Sequence, residues 1–125
     1  MIRIAVPYDN GQIFQRFGHA PQFKFYDVVD RRIFREQVVA APAKKGHAAI
    51  SAFLKTMSTN TLICDRIGES GKRVLKTAGI ELHSNIDGNA DEAVKAFIDA
   101  TFPKKDVVIE KKKTGNSLDV PISFY

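Results

Sequence analysis

A chain of 125 residues, 44% hydrophobic and 26% charged, has room for one domain with one core and little more. No apolar run approaches the ~20 residues that span a bilayer, and Met1–Pro7 reads as a strand rather than a signal peptide, so no membrane association and a cytoplasmic location are expected. The net charge of +5 offers mild attraction for an anionic ligand, without the clustered arginines and interleaved aromatics that would announce nucleic acid as a partner.

In chain order, Arg3–Pro7 predicts a first strand and Tyr8-Asp9-Asn10-Gly11 a turn, with Asn-Gly as the strong signal. Gln12–Phe17 reads as a short extended piece. Strands over Gln22–Val29 and Ile33–Ala41, joined at Asp30-Arg31-Arg32, complete an antiparallel meander. After the loop Pro42–Gly46 the period changes. Ile50, Phe53, Leu54 and Met57 form a helical stripe. Thr61–Cys64 is a short buried strand, Glu69–Thr77 a helix stopped by Gly79, and Ile80–Leu82 another strand. A last helix, with Ala90, Ala93, Val94, Phe97 and Ile98 inward, ends at Pro103.

This order predicts an α/β domain over residues 1–102: a ribonuclease H-like three-layer fold, with a mixed five-stranded sheet and helices on both faces. Residues 103–125 form a basic C-terminal extension, in which five lysines of 104–125 face three acids. Its strand-like stretches Val107–Ile109 and Val120–Tyr125 suit pairing with another chain's edge strand, and so a homo-oligomer.

Cys64 is the only cysteine. One thiol excludes an internal disulfide and a four-cysteine zinc or cluster site within one chain. A metal centre here must use few protein ligands, be shared between chains, or arrive already assembled. Cys64 itself fits either a buried inert thiol or a ligand.

Ligands of open α/β sheets bind beyond the carboxyl ends of the parallel strands. Here that rim collects Tyr8–Gly11, Cys64–Gly71 and His83–Asn89. The segment Cys64–Gly71 is strand, glycine-containing loop and helix start, a setting for amide donors around an anion; a tight turn with no ligand has the same glycines. It is not a P-loop, because Gly71-Lys72-Arg73 lacks the leading glycine and the following Ser/Thr. His47 opens a helix, where the dipole favours a neutral imidazole able to ligate. A first-turn surface histidine would look the same, and His83 reads as a surface residue. His19 stands in the turn Arg16-Phe17-Gly18-His19-Ala20-Pro21, which exposes ring nitrogens for a metal or for backbone hydrogen bonds. A two-magnesium nuclease is disfavoured: Asp9 and Asp65 are available, but Gly46–Met57 contains no Asp or Glu.

Several motifs occur in order: Ile4-Ala5-Val6-Pro7, Phe17-Gly18-His19-Ala20-Pro21 with Phe23 and Tyr26-Asp27-Val28, Gly46-His47, Leu62-Ile63-Cys64, Ile67-Gly68, Ala78-Gly79-Ile80 and Gly88-Asn89-Ala90-Asp91-Glu92-Ala93-Val94. As a set they resemble the dinitrogenase iron-molybdenum cofactor family, the small carriers of nitrogenase cofactor biosynthesis and their relatives. The resemblance implies a ribonuclease H-like fold without enzymatic activity that binds an iron-sulfur or iron-molybdenum type cluster, or its precursor, as cargo. Metallocluster donor and acceptor proteins would be its partners. By that resemblance His19 is the principal ligand, with Cys64 and His47 helping. Amides around Gly68 and Gly71 would hold the anionic edge, and Lys44, Lys45 and Arg66 would supply positive charge. One departure matters. Where the family reads Cys-Gly-Gly-Ile-Gly, this chain reads Cys64-Asp65-Arg66-Ile67-Gly68, and two side chains narrow the backbone approach. That replacement favours the alternative, a metal-free interaction or regulatory module binding a small anion or a partner protein at the Cys64–Gly71 loop.

Overall fold

A computed structural model of the chain describes residues 1–101. The extension, its two strand-like stretches and Pro103 lie outside the described residues. The elements are β1 (Ile2–Asp9), β2 (Gln12–Ile13), β3 (Gln22–Val29), β4 (Arg32–Ala40), α1 (His47–Thr56), β5 (Thr61–Ile63), α2 (Glu69–Thr77), β6 (Glu81–His83) and α3 (Ala90–Thr101). The sheet runs β4-β3-β1-β5-β6, with β2 paired to β1. Contacts β1–β3 and β3–β4 are antiparallel, whereas β1–β5 and β5–β6 are parallel. This is the mixed sheet expected from the sequence, with the two-residue β2 as a sixth member.

Side-chain alternation builds the layers, because neighbours along a strand face opposite sides. Ala5, Phe23, Phe25 and Leu62 pack against Ile50 and Leu54 of α1 and Leu75 of α2. Ile4, Val6, Tyr26, Val28 and Ile63 pack against Val94 and Ile98 of α3. Helices therefore cover both faces.

Local chemistry sets the turns. Asn10 and Gly11 both have positive φ, 50° and 85°, as the tight hairpin from β1 to β2 requires. That turn lets β1 continue through Tyr8 and Asp9, which pair with Ile13 and Gln12. The extended piece is shorter than Gln12–Phe17, because Phe17–His19 winds into a single 3-10 turn. Asn89 caps α3, its Oδ1 accepting the backbone N–H of Glu92 at 2.9 Å. His83 lies inside β6 rather than after it, since Cys64 N–H reaches its carbonyl at 3.0 Å and extends the ladder.

Candidate functional site

Beyond the carboxyl end of β5 lies an open cleft of about 730 Å³. Gln15, Arg16, Phe17, Gly18 and His19 form one wall, and His47, Arg66, Ile67 and Gly68 complete it. The loop after β5 is thus at the rim, as strand polarity requires. The other two segments expected there do other work. Asn10-Gly11 turns the hairpin, and the end of the His83–Asn89 loop pairs with β2 through Gly88 O to Ile13 N–H, 2.8 Å, and a bridge between Gln12 and Asn89. Their place at the cleft is taken by residues 15–19.

The aromatic Phe17 organises this wall. It is buried, meets Phe23 edge to face at 6.4 Å, and stacks on the His47 ring at 5.8 Å with 22° between planes. Burying Phe17 and the following Gly18 turns His19 outward, where it is exposed. The chain entering α1 is tied to the same turn, because Gly46 N–H donates to Gly18 O at 3.1 Å. Gly46 has φ +107°, a left-handed conformation that glycine adopts without strain.

His47 is held between glycines. A Cβ on Gly18 would stand 3.1 Å from His47 Cδ2, and one on Gly71 would stand 3.5 Å from the same atom. Its Nδ1 lies 3.1 Å from Ser70 Oγ in the first turn of α2. Two arginines complete the site. Arg66 N–H reaches Gln15 O at 3.3 Å, and Arg16 and Arg66 form a parallel bridge. Neither guanidinium pairs with an acid among the described residues.

The expected site residues separate into those that share this cleft and those that do not. His19, His47, Arg66 and Gly68 line it. Cys64 is fully buried in the core against α1 and α2. Burial, with a smaller contribution from neighbouring Asp65, pushes its thiol up to about 12, and Cys64 is not among the residues that line the cleft. Gly71 is a packing residue: a Cβ there would come within 2.7 Å of Ile67 Cγ1. Lys45 is spent on structure, its Nζ donating to Ala20 O at 3.3 Å and Pro42 O at 3.0 Å. Lys44 is exposed and lines no part of the cleft. Arg16 and Ser70 were not among the site residues expected from the sequence. Arg16 carried one signal, its place directly before Phe17-Gly18-His19. Among the described residues no group of three or more His, Cys, Asp or Glu side chains converges as a metal-ion site.

Comparison with known proteins shows the family of the chain and its fold. The family description "Dinitrogenase iron-molybdenum cofactor" matches residues 1–100. An uncharacterised protein of Methanocaldococcus jannaschii is 23% identical over 108 residues, covering 83% of this chain and 92% of its own. The crystal structure of the protein PH0822 superposes with a TM-score of 0.75 at 21% identity, over 84% of this chain and 96% of that one. The apo form of the orange protein from Desulfovibrio gigas superposes with a TM-score of 0.71 at 22% identity, over 85% and 94%. The chain belongs to the dinitrogenase iron-molybdenum cofactor family.

Proposed function

We propose that this protein is a small non-enzymatic carrier that holds an anionic metallocluster, of the iron-sulfur or iron-molybdenum type or a precursor, in the cleft between residues 15–19 and 66–68. The observation that carries this reading is the convergence of two imidazoles, His19 and His47, with two unpaired guanidiniums, Arg16 and Arg66, on one open cleft. Its volume falls within the roughly 300–1,000 Å³ of small-molecule sites. Two histidines are too few to close a tetrahedral site on a bare ion. They suffice for a cluster that arrives assembled and keeps its own bridging ligands. The guanidiniums supply the positive field for its anionic surface, and the openness of the cleft suits cargo that must leave again. A carrier of this kind implies donor and acceptor proteins, and its exposed rim at His19 and Arg66 is where they would meet the cargo.

The test is anaerobic reconstitution with iron and sulfide, or with a preformed cofactor, followed by visible absorption and metal analysis. Wild type should take up cluster, and His19→Ala should lose it while keeping its fold. Unchanged stoichiometry in His19→Ala would remove the ligand assignment. The metal-free reading draws support from one feature, the unpaired Arg66 guanidinium where the family has glycine. If wild type takes up no cluster but binds phosphate or a partner protein in an Arg66-dependent way, that reading replaces the first.

A further inference from the structure

Phe17, Gly18, Gly71 and Ser70 together fix the orientation of the His47 ring. Its Nδ1 faces Ser70 Oγ, whereas Nε2 has no partner among the described residues. Nε2 lies on the Gly18 side of the ring, 3.5 Å from where a Gly18 Cβ would be, and Gly18 lines the cleft. A neutral imidazole has two ways to meet a hydroxyl. In one, Nδ1–H donates to Ser70 Oγ and Nε2 shows the cleft a lone pair. In the other, the Ser70 hydroxyl donates to Nδ1 and Nε2–H faces the cleft.

The field on the cleft side of the ring favours the first, with the amino end of α2 at Ser70 as the opposing contribution. His47 is the first residue of α1, at the amino end where the helix dipole is positive. Arg16 and Arg66 add two unpaired positive charges to the same cleft. A lone pair aimed into positive potential is favoured, and the positive end of an N–H dipole is opposed. We propose that Ser70 is a positioning residue: its hydroxyl oxygen accepts a hydrogen bond from Nδ1–H of His47 and thereby presents Nε2 as a lone-pair ligand to the cargo. Ser70 does not touch the cargo; it acts through the imidazole, as partners of ligating histidines generally do. The ligand half of this statement rests on the carrier reading above, and the tautomer half does not.

The experiment is a long-range proton–nitrogen correlation spectrum of the metal-free, nitrogen-15-labelled chain near pH 8, with His47 assigned by comparison with His47→Gln. Wild type should show Nδ1 protonated and Nε2 bare. Ser70→Ala, at an exposed position, should shift the population toward Nε2–H, and Ser70→Thr, which keeps the hydroxyl, should restore the wild-type pattern. On anaerobic loading, Ser70→Ala should bind cluster about 10-fold more weakly or worse, with Ser70→Thr near wild type. Nε2–H in wild type, or a tautomer indifferent to Ser70→Ala, overturns the proposal even if cluster uptake is normal, and the carrier reading then stands without it. The expected tautomer with no uptake by wild type overturns the carrier reading and the ligand role of Nε2, and supports the hold of Ser70 on the ring.

Discussion

Gly18 and His47 are in such close apposition that a methyl group on the Gly18 α-carbon would stand 3.1 Å from Cδ2 of the ring. Twenty-eight residues lie between them in sequence, and the Gly46 N–H to Gly18 O hydrogen bond draws them together. The glycine is there for room, since its backbone is not in the left-handed region. Gly18→Ala should therefore press on the ring by a few tenths of an ångström. His47 is half-buried and borders the open cleft, so a shift of that size should cost about 1 kcal/mol. The displaced ring should take up cluster several-fold less well. Thermal unfolding and cluster loading, measured on the same sample, separate the two effects; loss of fold together with loss of loading would show that the glycine serves packing alone.

At Gly71 two opposing effects can be ranked. Alanine in a helix interior is favoured over glycine by about 1 kcal/mol. Against that, the new Cβ would lie 2.7 Å from Ile67 Cγ1, and overpacking of this kind costs about 1–3 kcal/mol. Net destabilisation is expected for Gly71→Ala. The double variant Gly71→Ala with Ile67→Ala removes the clash and should recover part of the loss. A denaturant series on wild type and the two variants checks it, and a stabilised Gly71→Ala would mean that Ile67 swings aside freely.

Cys64 gives a prediction of inertness. Its thiol is fully buried and pushed up to about 12, so alkylating reagents should not modify the native chain and should react promptly once it is unfolded. Cys64→Ala should cost about 1 kcal/mol for the lost burial and leave cluster loading at the wild-type level. Loss of loading in a folded Cys64→Ala chain would return the cysteine to the ligand set.

On the opposite face, Asp91 ties α3 to the sheet. Lys24 Nζ donates to its Oδ1 at 2.8 Å and Tyr26 OH at 2.6 Å, while Lys24 also meets Glu36 at 2.9 Å. The hydrogen bond from Lys24, then that from Tyr26, hold the Asp91 carboxyl below its ordinary 3.8. Burial opposes the Lys24 ammonium, but its bonds to Asp91 and Glu36 outweigh this and raise it above 10.5. A depressed acid stabilises the fold above its unfolded value and loses that contribution as pH falls through the folded value. A raised base contributes below its unfolded value and loses that as pH rises through the folded one. The stability advantage of wild type over Asp91→Asn should therefore hold between about pH 4 and pH 10 and narrow on both sides. Because the Asp91 side chain is 47% exposed, its size should be about 1 kcal/mol or less. Unfolding midpoints across pH check it, and a difference independent of pH would assign the effect to helix capping instead.

Much of this protein was legible in one dimension. The Asn10-Gly11 turn, the stripe Ile50, Phe53 and Leu54, the stop at Gly79 and the start at Asn89 are local signals, each read within a few residues, and together they gave the order of elements and the three layers. The cleft was legible only in part. His19 and His47 stand out because a turn and a helix start are local features, and Arg66 because it departs from a motif. What the sequence alone determined is which residues are apolar at which period, and thus which faces are buried. Only the tertiary structure decided that Cys64, one residue past a core strand, faces α1 and α2 rather than the cleft. It alone brought Arg16 beside Arg66, set the glycines at 18 and 71 against one imidazole, and put Ser70 against its Nδ1. Those relations depend on how parallel strands and crossover helices place distant segments within a few ångströms, and no periodicity along the chain encodes a distance across it.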